Sequence, residues 1–461
     1  MTTAATDFTE GEVMDPSSRG PALPAATMWA IAAAAVVVAV QSAVYFLLIR
    51  HQVGGFADLL GRASNFQSLK TTGNIYTDFS IEAFTYPPGG ILLLSPLVLV
   101  PSSLLAPLWT LGVLGSLTAS LYIGLRNLTR LTTTRALAVA VGATLIAPIA
   151  FSSVYDNIFW GQIGTMLTLA IVADFLVMRA PGQGVWVGLA TALKIYPGIF
   201  IVIWLVRRQY RPALTALATF AATTAVATTF YYRSAAAFFH QQIVGSQELT
   251  HFATYSTAEA SSSIADVFLR PPYFLGHLSA RESLGVAAIF VVIGVIASYG
   301  AWLRGREFTA VIVGLIISTI CSPIAWNHYF SFIPLLLLLP FEIGWRSWTA
   351  RVGYLAVAVN MVPWPHWKLV GVVQVLLDHF HLYLAYVAQN ATMVSMLLVL
   401  LTAAIEFWPP ALRPLAIARR SRRGTNESDP AAVLTTSGLT ASGLTVSEPP
   451  ASESTEVRRP D

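Results

Sequence analysis

The chain has 461 residues, of which 55% are hydrophobic and only 11% are charged. Its mean hydropathy of +0.64 lies outside the usual range of soluble globular proteins. This composition excludes a soluble enzyme and a nucleic-acid-binding protein, and predicts an all-α membrane protein with many crossings. The single cysteine, Cys321, excludes a disulfide framework and a cysteine metal site.

Apolar segments recur along most of the chain, and a membrane-spanning helix needs roughly 20 such residues. Twelve spans are predicted at 28–49, 88–102, 104–125, 136–151, 161–178, 184–206, 212–231, 283–303, 308–325, 329–345, 352–363 and 391–408. Two of them, 88–102 and 352–363, are shorter than a full crossing. An even number of crossings places both termini on the same side of the membrane.

Basic clusters predict which side that is. They lie at 207–211, 304–306, 346–351 and 413–423. Because Lys and Arg are enriched in cytoplasmic loops, the termini are predicted to be cytoplasmic and the loops 50–87, 232–282 and 364–390 to face outward. Three arginines do not fit this scheme, since it puts Arg126, Arg130 and Arg135 outside.

The predicted membrane domain covers 28–409 and is flanked by two polar tails. Residues 1–27 and 410–461 are rich in Ser, Thr, Pro, Ala and Glu, which predicts disordered cytoplasmic segments, the second of them basic at its start. About 27 polar residues precede the first apolar segment. That segment is therefore predicted to be a retained helix and not a signal peptide.

Lys194 is the most unusual charge in an apolar segment, "GLATALKIYPGIF". A charge at the centre of a spanning helix costs about 2.5–3.5 kcal/mol, so one that is retained suggests a function. Pro197 follows and is expected to kink the helix. Two interpretations stay open: Lys194 snorkels or pairs with an acid such as Asp174, or it contacts an anionic substrate group.

Outward-facing carboxylates form a second group of candidates. They are Asp58, Asp78, Glu82, Glu248, Asp266 and Asp378. Most loop acids are simply solvated. Asp58 differs because it lies about eight residues beyond the first predicted span, close enough to the bilayer to meet a lipid-borne substrate. A carboxylate placed there can act as a general base toward an acceptor hydroxyl.

Polar side chains also gather at the ends of predicted spans. The segment "SVYDNIFWGQIG" carries Asp156 and Gln162, and "CSPIAWNHYF" carries Trp326, Asn327 and His328. Interfacial aromatic residues are usually membrane anchors, but a tryptophan beside amides and an imidazole is also typical of sugar binding. His328 is the sharper candidate because an imidazole can donate to a phosphate or sugar oxygen.

Motifs for nucleotides and metals are missing from the sequence. There is no Walker loop, no dinucleotide glycine fingerprint and no His-Glu-x-x-His. No cofactor and no metal are therefore expected.

Four segments together resemble glycosyltransferase family 87, the type-C, polyprenyl-phosphate-mannose-dependent α-mannosyltransferases of mycobacteria. They are "FADLLGRASNFQSLKTTGNIYTD…FTYPPGGILLLSPLVLVP", "DNIFWGQIGTMLTLAIVADFL", "GLATALKIYPGIFIVIWLVRR" and "SPIAWNHYFSFIPLLLLLP". They follow one another in family order across 56–340. The Lys-Ile-Tyr-Pro element is also similar to one in eukaryotic glycosylphosphatidylinositol mannosyltransferases.

The resemblance implies a type-C fold with about 12 transmembrane helices and a catalytic first extracytoplasmic loop. It implies a polyprenyl-phosphate-mannose donor, a membrane glycolipid acceptor of phosphatidylinositol mannoside or lipomannan type, and inversion at the outer face of the cell membrane. Asp58 matches the family's catalytic base. The residues expected to bind substrate are His328, Asn327, Lys194, Gln162, Trp326, Tyr86 and Asp156.

The chain departs from the family pattern at three places. Ala63 stands where relatives commonly have tyrosine, Gly164 stands where they have an amide, and the loop "QELTHFATYSTAEASSSIADVF" lacks an expected Asn-Gln-Ser. The sugar and acceptor therefore stay open, with arabinose or glucose as alternatives to mannose. A lipid or sugar transporter and a non-catalytic scaffold are the rival functions.

Overall fold

A computed structural model of the chain describes residues 25–76, 84, 86–240, 263–264, 280–322, 325–361 and 390–424. The described residues form helices and contain no strand, which confirms the all-α prediction. The residues up to Leu412 form one compact unit, and those from Arg413 form a second. Most of the predicted tail residues lie outside the described parts.

Helices occupy each of the twelve predicted apolar segments. They are α1 (Ala25–Ile49), α2 (Ala57–Thr72), α3 (Pro88–Leu94), α4 (Ser102–Leu128), α5 (Thr133–Ala150), α6 (Ser152–Phe159), α7 (Gly164–Leu176), α8 (Val185–Leu193), α9 (Ile199–Val206), α10 (Tyr210–Phe230), α11 (Tyr232–Phe238), α12 (Ala280–Leu303), α13 (Glu307–Ile320), α14 (Leu339–Ile343), α15 (Trp348–Asn360) and α16 (Ala391–Gly424). Short 3₁₀ turns lie at Ser95–Leu99, Tyr196–Gly198, Asn327–Phe330 and Ile333–Leu338.

Six described helices, α1, α4, α5, α10, α12 and α16, are long and apolar enough to cross a bilayer. The pair α6 and α7, bent by 112°, adds a seventh if it is taken as one span. Helix α13 is the centre of the bundle, since every residue from Phe308 to Ile320 is buried. A helix that is apolar all round is expected inside a membrane protein. The chain is a polytopic membrane protein.

One end of the bundle, here called the Arg207 end, is held together by charged side chains. Arg207 Nη1 lies 2.6 Å from Glu307 Oε1, so the end of α9 meets the start of α13. Arg304 donates to the carbonyl oxygen of Glu406 at 2.6 Å. The Glu342 carboxylate accepts from the first backbone N–H groups of α13. These contacts bring the ends of α9, α12, α14 and the Glu406 turn of α16 to one level.

The opposite end, here called the Asp58 end, is where α2 meets the bend between α6 and α7. Gln162, in that bend, donates to Asp58. Trp109, near the start of α4, donates from its indole nitrogen to the Gln162 carbonyl oxygen at 3.0 Å. Near the other end of α4, Gly124 packs against Phe308 of α13. Helix α4 therefore runs from the Asp58 end to the Arg207 end.

The direction of α4 corrects the topology that was predicted for the first half of the chain. The segment 88–102 starts beside Tyr86 at the Asp58 end, and its Val98 lines the same cavity as Phe230, the last residue of α10. Because α10 starts three residues after Arg207, Phe230 is also at the Asp58 end. The segment therefore returns to its own side and does not cross. As a result, the turn from α4 to α5 lies at the Arg207 end, together with the basic clusters 207–211, 304–306 and 346–351, as the positive-inside rule requires. The arginines next to this turn are Arg126, Arg130 and Arg135.

The second correction concerns the predicted crossing formed by α8 and α9. Asp174 accepts from the Gly184 backbone N–H at 2.7 Å, just before α8. Its neighbour Phe175 stacks on Trp204, near the end of α9, with ring centres 4.4 Å apart. The start of α8 and the end of α9 therefore lie together at the Arg207 end. The two helices form a hairpin that re-enters the bundle, with Lys194 at its tip.

Cysteine labelling tests this topology without assuming which face is cytoplasmic. In a Cys321→Ala background, Lys70→Cys and Arg130→Cys are expected to react with a membrane-impermeant thiol reagent from opposite faces of sealed vesicles. Both replaced side chains are exposed, so access does not limit the reaction. Labelling of both from the same face would contradict the path of α4 described here.

Candidate active site

Asp58 is placed by the way α2 begins. Phe56 precedes the helix in a left-handed conformation, with φ at 61°, and its N–H donates to the Phe159 carbonyl oxygen at 2.6 Å. This hydrogen bond fixes the start of α2 against the bend that follows α6. Asp58 lies in the first turn of α2, where the helix dipole favours a carboxylate.

Glycine at position 161 makes this approach possible. Gly161 has a φ of +68°, which L side chains rarely adopt, and an added Cβ would lie 2.5 Å from the Leu59 Cβ. Both the backbone conformation and the close packing of α2 therefore require glycine. The next residue, Gln162, is thereby held beside Asp58.

Replacing Gly161 by alanine is expected to lower the free energy of unfolding by about 1–3 kcal/mol, because the added methyl meets Leu59 and the left-handed backbone is strained. Thermal unfolding of the purified protein in detergent measures the effect. Gly142→Ala is the matched control, since Gly142 lies in α5 and a methyl group added there has nothing within 4 Å. The control is expected to be neutral or slightly stabilising; equal stability of the two variants would contradict the packing described.

The Asp58 carboxylate has one engaged oxygen and one free oxygen. Gln162 Nε2 donates to Oδ2, and Arg62 Nη2 lies 3.6 Å from the same oxygen. No donor among the described residues reaches Oδ1. The side chain is 30% exposed, so a substrate hydroxyl has access to this oxygen.

Arg62 is the buried cation of the site, and sequence reasoning missed it. It lies one helical turn after Asp58 and is only 5% exposed. Its Nη1 donates to the Gly161 carbonyl oxygen at 2.8 Å, and its guanidinium lies 5.0 Å from the centre of the Tyr86 ring. The available signal was the i, i+4 spacing from Asp58, which puts the two side chains on one face of a helix.

Lys194 reaches the same place from the tip of the α8–α9 hairpin. Its Nζ lies 4.0 Å from the centre of the Tyr329 ring and 5.6 Å from that of Tyr86. It is within Coulombic range of Arg62 and Asp58. The predicted alternative of a pair with Asp174 is wrong, because that carboxylate is used at the start of α8.

Tyr86 completes the wall between the two cations. Its hydroxyl is buried and has no hydrogen-bond partner among the described residues. Burial raises the pKa of the Tyr86 phenol above its ordinary value, so the group stays protonated and can donate.

His328 lies on the 3₁₀ turn Asn327–Phe330, where its ring is 5.0 Å from that of Tyr329. It is buried, and its Nε2 has no partner among the described residues. It lies within Coulombic range of Lys194 and Arg62. The structure thus brings His328, Lys194 and Arg62 together, and their shared role in one site stays a prediction.

Asp156 and Asn327 fasten this turn to the bent helix. Asn327 Nδ2 donates to Asp156 Oδ2 at 2.7 Å, and Asn157 Nδ2 donates to the His328 carbonyl oxygen at 3.1 Å. Trp326 is the half-buried residue before the turn. These residues support His328, and no described contact links them to Asp58.

Gly164, the departure from the family pattern, lies at the same junction. An added Cβ would lie 2.5 Å from Asn157 Nδ2 and 2.7 Å from the His328 carbonyl oxygen. Asn157 and the turn carrying His328 thus fill the space next to Gly164. A larger residue there requires the turn to move.

Several buried polar atoms of this region lack hydrogen-bond partners among the described residues. They are Tyr86 OH, Asp156 Oδ1, Asn157 Oδ1, Gln162 Oε1 and His328 Nε2. Native proteins pair nearly all buried polar groups with protein or water. Such a concentration is typical of a site that binds a polar ligand or ordered water.

Other sequence candidates cannot be placed. Asp78, Glu82, Glu248, Asp266 and Asp378 lie outside the described residues, as does all of the loop that lacks Asn-Gln-Ser except 263–264. Within the described parts, no group of three or more His, Cys, Asp and Glu side chains could hold a metal ion.

Comparison with known proteins now decides the family. Residues 84–323, more than half of the chain, match Glycosyltransferase family 87. The chain belongs to glycosyltransferase family 87. This family 87 enzyme has Lys194 and Gln162 inside the matched residues, whereas Asp58 lies 26 residues before them and His328 five residues after them. Membership confirms the predicted glycosyltransferase class and decides against the transporter and the scaffold.

Two mycobacterial relatives of the family 87 enzyme are informative. It is 29% identical over 299 residues to a "Polyprenol-phosphate-mannose-dependent alpha-(1-2)-phosphatidylinositol mannoside mannosyltransferase" of Mycobacterium tuberculosis, covering 61% of this chain and 67% of the relative. It is 26% identical over 310 residues to a "Polyprenol-phosphate-mannose-dependent alpha-(1-2)-phosphatidylinositol pentamannoside mannosyltransferase" of Mycolicibacterium smegmatis, covering 62% of this chain and 68% of the relative. No solved structure matches the chain.

Proposed function

We propose that this glycosyltransferase transfers mannose from a polyprenyl-phosphate-mannose donor to a hydroxyl of a membrane glycolipid of phosphatidylinositol mannoside or lipomannan type. The product is α-linked, the anomeric centre inverts, and Asp58 is the general base. Donor and acceptor class are supported by the names of the mycobacterial relatives. The chemistry is supported by the arrangement of side chains around Asp58.

The free oxygen of Asp58 carries the proposal. Oδ2 is held by Gln162, so the carboxylate has a fixed orientation, while Oδ1 is open to a substrate. An acceptor hydroxyl that donates to Oδ1 transfers its proton there as its oxygen attacks the anomeric carbon. General base catalysis requires this hydrogen-bond reach first of all.

The departing polyprenyl phosphate needs compensation for its growing negative charge. Arg62 and Lys194 approach Tyr86, and the Tyr86 hydroxyl has no other partner among the described residues. We assign these three groups to the phosphate, with His328 Nε2 beside them. Fixed donors in a water-poor site stabilise developing charge strongly because they need no reorganisation.

Among the described residues around the cations, Asp58 is the one acid with a carboxylate open to a substrate, which favours inversion. Asp156 is the other acid near the bent helix, but it is only 5% exposed and no described contact links it to Asp58, Arg62 or Lys194. A retaining enzyme needs a second carboxylate as nucleophile, whereas an inverting one needs only a base. Displacement of a β-linked lipid phosphate by one step gives the α product.

The proposed membrane orientation follows from the arginines. We assign the Arg207 end to the cytoplasm, because the basic clusters gather there, and the Asp58 end to the outer face of the cell membrane. The enzyme then has a type-C fold whose first outward loop, with α2, holds the catalytic base. Two of the twelve predicted spans are then re-entrant segments that do not cross the membrane. Segment 88–102 enters the bundle from the outer side, and the α8–α9 hairpin enters it from the cytoplasmic side.

The test is a transfer assay with the purified full-length enzyme in lipid. We expect radiolabelled mannose to pass from polyprenyl-phosphate-mannose to a phosphatidylinositol mannoside acceptor and to be released by an α-mannosidase. Parallel reactions carry polyprenyl-phosphate-arabinose and polyprenyl-phosphate-glucose. Transfer of another sugar in preference to mannose would overturn the donor assignment, and a β-linked product would overturn inversion.

A further inference from the structure

A cavity of about 460 Å³ opens at the far end of α2 from Asp58. It lies between α2, the 3₁₀ turn after α3, and the junction of α10 with α11. Ten residues line it, and they include four apolar side chains and two cations: Phe66, Leu69, Val98, Phe230, Lys70 and Arg233. The mechanism above uses none of these residues.

The two cations have no acidic partner within the described parts of the chain. Neither Lys70 nor Arg233 forms an ion pair with any described carboxylate, and both are exposed. Arg233 is oriented by a hydrogen bond of 3.0 Å from its Nε to the Tyr232 hydroxyl. The Ile75 N–H donates to Ser234 Oγ at 3.0 Å, which ties the chain after α2 to α11 and fixes the spacing of the cations.

The cavity is partly apolar, carries two cations and lies at the Asp58 end of α10. It therefore complements an amphiphile with a negative group at the junction of its polar and apolar parts. Cations at such a boundary attract lipid phosphates. We propose that this cavity binds the phosphodiester and the adjoining glycerol of an anionic phospholipid acceptor. The inference rests on the proposed function, since it concerns the acceptor of the same reaction.

The position of the cavity relative to Asp58 supports the acceptor over the donor. Lys70 and Asp58 are twelve residues apart on one helix, which corresponds to about 18 Å along its axis. A donor phosphate must lie next to the reacting carbon, so it belongs beside Lys194. An acceptor phosphate must lie a sugar headgroup away from the reacting hydroxyl.

The experiment compares two acceptors with the same terminal mannose, one a phosphatidylinositol mannoside and the other a neutral alkyl mannoside. In the Lys70→Gln/Arg233→Gln variant, KM for the anionic acceptor is expected to rise about tenfold, because each exposed charge contributes modestly. Its kcat and its KM for the neutral acceptor are expected to stay unchanged. An unchanged KM for the anionic acceptor would overturn the proposal, as would equal increases for both acceptors.

Two control variants separate binding from stability and from general charge. Arg130→Gln removes an exposed arginine at the Arg207 end and is expected to leave both KM values unchanged. Lys70→Arg/Arg233→Lys keeps the charges and is expected to restore anionic preference. Lys70 also lies in the last turn of α2, where a cation favours the helix dipole. Thermal unfolding of the double variant measures how much stability is lost with this helix-dipole interaction. If the double variant is less stable and its KM rises equally for both acceptors, the assignment is contradicted.

A binding measurement makes failure of this inference distinguishable from failure of the proposed function. Phosphatidylinositol retained by the detergent-purified enzyme is quantified against phosphatidylcholine. The ratio of phosphatidylinositol to phosphatidylcholine retained by the wild type is expected to be about tenfold higher than the ratio retained by the double variant. Equal retention would overturn the lipid site whether or not mannose is transferred. If the wild type transfers no mannose but keeps this preference, the proposed reaction fails and the lipid site stands.

Discussion

Replacing Asp58 by asparagine is expected to lower kcat for mannose transfer by about 10²–10⁴-fold, the range that a positioned general base contributes. Asparagine keeps the size of the side chain and can still accept from Gln162, but it cannot take the proton of the acceptor hydroxyl. Initial rates with saturating donor and acceptor measure the effect. KM for both substrates is expected to change much less than kcat.

Asp58→Glu is the matched variant for this prediction. It keeps the carboxylate but moves it by one methylene, so activity between the wild type and the asparagine variant is expected. Thermal unfolding of the three proteins shows whether the fold is retained. Turnover by Asp58→Asn within a few-fold of the wild type would remove Asp58 from the proton transfer.

The second large effect is expected at Lys194. Replacement by methionine removes the charge that lies over the Tyr329 ring and keeps most of the length of the aliphatic stem. If Lys194 stabilises the leaving phosphate, kcat falls by about 10²–10³-fold, as for loss of a fixed donor in an oxyanion site. KM for the acceptor is expected to stay near the wild-type value.

Lys194→Arg provides the comparison, because it keeps a cation but changes its reach and shape. It is expected to retain more activity than the methionine variant at equal stability. A methionine variant that is as active as wild type, or whose loss appears only in acceptor KM, would show that Lys194 does not act on the leaving group.

Much of the fold and the site was accessible from the sequence. Hydropathy predicted the apolar helical segments, because their length and composition are set by the bilayer, but it missed α2 and α11, which lie in predicted loops, and α6, which lies between two predicted spans. The free-energy cost of a charge inside a membrane singled out Lys194, and the short distance from the first predicted span singled out Asp58. The structure places both in one cluster with Gln162, Tyr86 and His328, and the roles of these residues stay predictions.

Hydropathy could not give the path of those segments. A re-entrant helix buried among other helices is as apolar as a crossing one, so 88–102 and the α8–α9 hairpin look like spans. The arginines between α4 and α5 were the available signal, since they violated the positive-inside rule. Lys194 was a second signal, because a hairpin tip is a natural place for a polar group inside a membrane protein.

Tertiary contacts explain what the sequence left out of the site. Arg62 gains its significance from burial against Gly161 and Tyr86, and Tyr329 from the approach of Lys194. Sequence patterns could not place these side chains without their partners. Conversely, Asp156 and Asn327 were grouped with the substrate-binding residues, but the structure shows them bonded to one another, behind the turn of His328.

The proposed mechanism requires that position 58 faces the outside of the membrane beside the cations Arg62 and Lys194. The most direct test places a cysteine there, as Asp58→Cys in a Cys321→Ala background, and applies a membrane-impermeant thiol reagent to sealed vesicles of each orientation. The partial exposure of Asp58 predicts labelling from the outer face, reduced when polyprenyl-phosphate-mannose is bound. Labelling only from the cytoplasmic face, or labelling that the donor does not affect, would contradict the account.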